Sequence, residues 1–262
     1  MGSSPLIVLA EAPEQLEQSA SSRDIAAMTE AARIAGARIY TIPPDFSRCE
    51  HAEGALWHVP EQAAEVRGVW IGFIPSPDRY REIYDAALRR RIVLVNSPDE
   101  HLTAQEFDRA YPRLGELTPD SLIISSVDQC AGAIAKLGTP VFVKGAVQSR
   151  KAKGWKACVA ESESELRTLT EQLLALDNRS RGRVVVRKLV QLRASRTSAE
   201  GFPFGREYRV FVLDRKTVGW GYYWEGEDTL KALSAPEQRT VLALAEEASR
   251  RLAVPSSAAS GS

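Results

Sequence analysis

The sequence predicts an α/β protein made of α+β lobes. Through residue 95, short apolar runs alternate with segments of helical spacing, the pattern of a parallel sheet with helices on its faces. From residue 121 onward β-branched runs recur, separated by turn signals and amphipathic helices. With 262 residues, 44% hydrophobic and 26% charged, the chain is long enough for one large domain or two to three small lobes, each with a core.

The elements follow in order. Residues 6–10 form an apolar run that reads as a buried strand. Residues 23–34 carry Ile25, Ala26, Met28 and Ala32 at helical spacing and stop at Gly36, a C-cap. Residues 37–42 are a second strand, broken by Pro43 and Pro44, and 67–74 a third, closed by Pro75. Residues 78–90 read as a helix and 92–95 as a fourth strand. Residues 1–97 are therefore a small Rossmann-like lobe. No Gly-x-Gly-x-x-Gly follows its strands, so no dinucleotide is assigned to it.

After a turn at 96–98 come a helix over 102–114, a strand over 121–124 and a helix over 127–137 closed by Gly138. Then follow the strand ending at Lys144, a basic loop, a strand over 155–160 and an amphipathic helix over 164–176. Residues 178–182 read as a polar turn, 183–192 as a strongly β-branched strand and 194–204 as a loop. Strands over 206–213 and 217–224 flank a hairpin turn, and a helix covers 236–252. Residues 98–255 make up the second domain. The small polar tail 256–262 reads as disordered or as a linker.

Net charge is zero, so no global field favours nucleic acid or an anionic membrane. No run is long and apolar enough to span a membrane, and the N-terminus lacks the basic start of a signal peptide. Cys49, Cys130 and Cys158 are odd in number and far apart, without metal-site spacing. They fit a reducing cytoplasm and read as small buried hydrophobes.

Three segments carry the chemistry. Val141-Phe-Val-Lys-Gly-Ala-Val-Gln-Ser149 is a strand that fixes Lys144, followed by a loop with Ser149, Arg150, Lys151, Lys153 and Gly154. A strand-anchored lysine beside a basic glycine loop suits a polyanion. The same loop also reads as a solvated basic hairpin. A nucleic-acid patch gains little support, because the loop has no interleaved aromatics beyond Trp155. Val184-Val-Val-Arg-Lys-Leu-Val-Gln-Leu192 is an apolar wall that ends in polar groups, and Arg187 also reads as a structural ion-pair partner. In Gly205-Arg-Glu-Tyr-Arg-Val-Phe-Val-Leu213, Glu207 and Arg209 share one strand face, as a cleft lining or an intrastrand ion pair.

In this order, Lys144, Ser149-Arg-Lys, Trp155-Lys-Ala-Cys158, Arg187, Glu207-Tyr-Arg209 and Tyr222-Tyr-Trp224 resemble the ATP-grasp superfamily, in its branch of uncharacterised domain proteins. The resemblance covers roughly residues 95–255. It implies an ATP-grasp fold behind a pre-ATP-grasp domain that shapes the acceptor side of a cleft. By the resemblance, Lys144, Ser149 and Lys153 hold ATP phosphates. Val186, Lys188, Leu189 and Gln191 seat adenosine, and Glu207 orients Arg209 or reaches the ribose. Arg187 and Arg209 are the catalytic candidates, offsetting charge on the transferring phosphate. Arg109, where relatives carry lysine, is a weaker phosphate contact or a solvated helix charge.

The implied activity is ATP-dependent ligation of a small-molecule or peptide carboxylate to an amine or thiol through an acyl phosphate. The resemblance also implies Mg²⁺, held by acids on strands that follow the last helix. Those acids are absent here, as if the domain were truncated at its C-terminal end, and no residue is assigned to a metal. Glu246 and Glu247 read as helix surface. The alternatives are an ATP-binding module without turnover and an interaction protein of α/β fold.

Overall fold

The computed structural model describes residues 6–43 and 51–253. Pro44, Cys49 and the tail 256–262 lie outside the described residues. The chain divides into two compact units, Met1–Leu102 and Thr103–Ser262. No helix among the described residues is long and apolar enough to cross a membrane.

The first unit holds β1 (Ile7–Glu11), α1 (Ala20–Ile34), β2 (Arg38–Ile42), α2 (Ala52–Ala55), β3 (Val66–Ile71), α3 (Pro77–Arg89) and β4 (Ile92–Leu94). Its four strands are all parallel, in the order β2-β1-β3-β4. β1 is buried along its whole length, as a central parallel strand covered on both faces must be. Gly68 lets β4 approach β3, because a Cβ there would meet Ile92 at 2.5 Å. Ser19 and Ser76 cap α1 and α3 with their hydroxyls, and Pro77 opens α3 where no N–H is needed.

The division between units falls within α4 (Pro98–Gln105). The second unit continues with α5 (Phe107–Leu114), β5 (Ser121–Ile124), α6 (Cys130–Leu137), β6 (Val141–Gly145), β7 (Val159–Ala160) and α7 (Glu163–Leu174). Then come α8 (Asp177–Ser180), β8 (Val184–Lys188), β9 (Ala194–Thr197), β10 (Pro203–Gly205), β11 (Tyr208–Leu213), β12 (Lys216–Tyr222) and α9 (Ala235–Leu252). An antiparallel sheet runs β5-β8-β6-β7, and β9–β10 and β11–β12 form two hairpins.

Alternation organises the four-stranded sheet. Val141, Val143, Val184 and Val186 point to one face and pack with Leu166, Leu169 and Leu173 of α7 as the core. Phe142, Lys144, Val185 and Arg187 share the other face, since Phe142 pairs with Arg187 and Lys144 with Val185.

Several expected elements differ in detail. The single helix expected over 102–114 is two, because Glu106 takes an extended backbone between them (φ −99, ψ 109). Its buried carboxylate joins Arg109, Arg181 and Arg183, a tertiary demand that overrides local helix propensity. The strand expected over 155–160 shrinks to β7, because Gly154 turns the chain at φ 89 into a short 3₁₀ turn. The expected loop over 194–204 contains the hairpin β9–β10. Asp214 and Arg215 make the β11–β12 turn with φ 49 and φ 65, the left-handed pair of a two-residue hairpin.

Candidate functional site

The sheet face opposite the helices carries two cations on one aromatic ring. The Phe107 centroid lies 5.0 Å from Lys144 Nζ and 4.1 Å from the Arg187 guanidinium carbon. Arg187 Nε donates to Ser121 Oγ at 3.3 Å. Among the described residues, no carboxylate pairs with Lys144 or Arg187. Burial, helped by the neighbouring charges of Arg187 and Lys151, pushes Lys144 down to about 8. Burial lowers Arg187 as well. Two buried like charges without a counter-ion leave a standing demand for an anion.

A cleft of about 750 Å³ opens beside them. Arg187, Lys188, Leu189, Gln191, Lys151 and Glu207 line it, together with an apolar wall that includes Phe142, Trp155 and Phe202. A largely apolar pocket with a few convergent polar groups is the usual build of a small-molecule site. Lys144 is not part of the lining. It stands behind Arg187 on the same sheet face.

Lys151 crosses this cleft. Its Nζ donates to Glu207 Oε1 at 3.0 Å and lies 5.5 Å from the rings of Phe202 and Trp224 and 6.0 Å from Tyr223. Glu207 Oε2 is buried and has no hydrogen-bond partner among the described residues. Gly154 pins the loop behind Lys151, since a Cβ there would come within 2.4 Å of the Glu200 carbonyl oxygen.

The remaining sequence-derived positions fall in different places. Val186 is fully buried in the helix-side core. The Ser149 carbonyl accepts from Arg179 Nη1 at 2.7 Å. Lys153 lines a separate cavity with Arg150, Trp155, Lys156 and Glu165. Arg209 is exposed, and its guanidinium carbon lies 4.9 Å from the Tyr223 ring. Glu207 thus pairs with Lys151 and not with Arg209. Arg109 pairs with Glu106.

Reasoning from sequence missed the Phe107 platform and gave Lys151 no role of its own. Phe107 sits three dozen residues before Lys144 and adjoins it only through the fold. Lys151 was one of several lysines in a loop, and a loop sequence does not say which side chain turns inward.

No group of three His, Cys, Asp or Glu side chains converges among the described residues. Glu246 accepts from the Thr217 N–H, and Glu247 pairs with Arg250 and Arg251. The described residues therefore do not fit a Mg²⁺ cradle, and no chemical step is derived through one.

The first unit has a cavity of its own, of about 500 Å³, at the carboxyl ends of β1 and β3. Glu11, Ser19, Trp70, Ser76 and Arg79 are among its lining, and Glu11 Oε2 accepts from the Phe73 N–H at 2.7 Å.

Comparison with known proteins agrees with this fold. Residues 135–259 match a family model described as an ATP-grasp domain, the third family of its clade. A RimK domain protein ATP-grasp from Sphaerobacter thermophilus DSM 20745 superposes with a TM-score of 0.59 at 16% identity, over 96% of this chain and 83% of that one. D-alanine–D-alanine ligase from Bacillus anthracis, complexed with ATP, gives 0.60 at 14%, over 95% and 76%. D-alanyl-alanine synthetase A from Vibrio cholerae O1 biovar eltor str. N16961 gives 0.55 at 14%, over 96% and 81%. No curated protein matches the chain.

Proposed function

We propose that this ATP-grasp protein binds ATP in the cleft of its second unit and uses it to activate a carboxylate for ligation. The observation that carries the reading is the pair Lys144 and Arg187 on the Phe107 ring, two cations without a carboxylate partner among the described residues. A triphosphate supplies the missing charge. Leu189, Gln191 and the aromatic wall suit an adenosine, and Glu207 suits its ribose hydroxyls. The ATP named in the Bacillus anthracis ligase structure supports the same assignment.

In the ligation, a carboxylate oxygen attacks the γ-phosphorus and ADP departs, leaving an acyl phosphate. An amine or thiol then attacks the acyl carbon. The C–O bond breaks, inorganic phosphate leaves with the electron pair, and the nucleophile loses its proton. Arg187 offsets charge on the transferring group, and Arg209 does so if it swings inward from Tyr223. We assign residues 98–255 to nucleotide binding and residues 1–97 to the acceptor, a small-molecule or peptide carboxylate. Arg79 and the starts of α1 and α3, which border the first unit's cavity, suit a carboxylate there. The three scattered cysteines support a cytoplasmic setting.

A second reading, ATP binding without turnover, is favoured by the lack of a converging acid cluster among the described residues. One experiment separates the two. Titration calorimetry with ATP tests binding, and ADP release with Mg²⁺ and a panel of carboxylates tests turnover. Binding with ADP release supports the ligase, and binding alone supports the module. No binding of ATP removes both.

A further inference from the structure

We propose that Lys151 and Glu207 make nucleotide binding an exchange of ion-pair partners, and that this exchange sets the site's preference for phosphorylated nucleotides over adenosine. The inference rests on the nucleotide reading above and deepens it. Both side chains line the cleft, and each is 28% exposed. In the structure they hold each other at 3.0 Å. Lys151 is the hydrogen-bond partner of Glu207 among the described residues, and the second carboxylate oxygen is buried without one.

Ribose hydroxyls are donors, as the lysine ammonium is. A nucleoside that takes Glu207 as its ribose acceptor therefore competes with Lys151 for the same carboxylate. Adenosine offers the displaced ammonium nothing in return. The ring positions around Nζ, at 5.5–6.0 Å, soften that loss only in part. ATP offers a polyanion.

The geometry brings that polyanion within reach. Lys151 is close enough to Lys144 for its charge to depress the Lys144 proton affinity, so phosphates seated at Lys144 and Arg187 lie in the field of Lys151 as well. The lysine then leaves one carboxylate for several phosphate oxygens. Glu207 passes from the ammonium to the ribose, and its orphaned Oε2 gains a donor. Loss and gain balance for ATP and do not balance for adenosine. Lys151 is thus a specificity-determining residue. The aromatic ring positions fix where it waits.

The test is titration calorimetry of ATP and of adenosine against the full chain and its Lys151→Met variant, which keeps the stem against the rings. The expected result is an ATP affinity lowered tenfold or more, about the loss of one charge-assisted contact, with adenosine affinity unchanged or raised. The ratio of the two constants then collapses. Lys151→Arg is expected to restore most of that ratio, which guards against a misfolded methionine variant. Equal losses for both ligands in Lys151→Met, with ATP still bound by the wild type, overturn the exchange and leave the nucleotide reading standing. A wild type that binds no ATP overturns both.

Discussion

Phe107 lies 4.1 Å from the Arg187 guanidinium carbon, and it brings α5 against the ligand-facing side of β8. Replacing it with leucine keeps most of the volume and removes the quadrupole that holds the cations. Phe107→Leu is expected to weaken ATP binding about threefold to tenfold, while the urea unfolding midpoint shifts little. Calorimetry and denaturation on the same preparation check both halves. A large stability loss with unaltered affinity sinks the platform role.

Lys144 gives an opposite pairing of effects. Its folded value of about 8 lies below its ordinary 10.5, chiefly through burial. Below pH 8 the folded and unfolded chains both carry the proton. Between pH 8 and 10.5 only the unfolded chain does, so stability rises with pH across that window. The charged lysine thus weighs on the ligand-free fold near neutrality by on the order of 3 kcal/mol. Lys144→Met is expected to stabilise the ligand-free protein at pH 7 and to lose that advantage by pH 10.5. Urea titrations at both pH values read this directly.

The same proton governs affinity. ATP favours the charged lysine, so binding above pH 8 must take up a proton, and affinity is expected to fall by up to about tenfold per pH unit there. Calorimetry in two buffers of different ionisation heat measures the uptake. Lys144→Met is expected to flatten the profile.

Val186 and Leu189 lie three residues apart and belong to different tasks. Val186 is fully buried against α7, whereas Leu189 lines the cleft. Val186→Ala is expected to lose about 2 kcal/mol of stability with ATP affinity kept, and Leu189→Ala the reverse. Denaturation and binding of the two variants side by side decide this.

How much of this was legible in the sequence depended on what each residue's neighbours were. The β-branched runs around Lys144 and Arg187 announced their strands, because two-residue alternation is a local property. That the two cations share a face depends on Phe142 standing opposite Arg187, and pairing register is not written in either strand alone. Val186 illustrates the limit. It belongs to the apolar run expected to seat adenosine, yet alternation turns it into the core while Arg187, one residue on, turns out. Glu106 was hidden for a similar reason. Its three arginines come from its own helix and from the chain around α8, so only the folded chain shows a carboxylate strong enough to split a helix.

Gly145 closes β6 where a Cβ would lie 2.1 Å from the Arg179 carbonyl oxygen. That contact is with backbone, which has no rotamer to yield. Gly145→Ala is therefore expected to destabilise the protein by about 3 kcal/mol, near the upper end for overpacking, as read from the urea midpoint.

The two-sidedness of the β5-β8-β6-β7 sheet has a consequence for engineering. Positions 142, 144 and 187 can be exchanged to suit an anion of different shape or charge while 141, 143 and 184 stay as they are. A library confined to those outward positions would sample new ligands on a scaffold whose folding information is stored on the reverse side of the same strands.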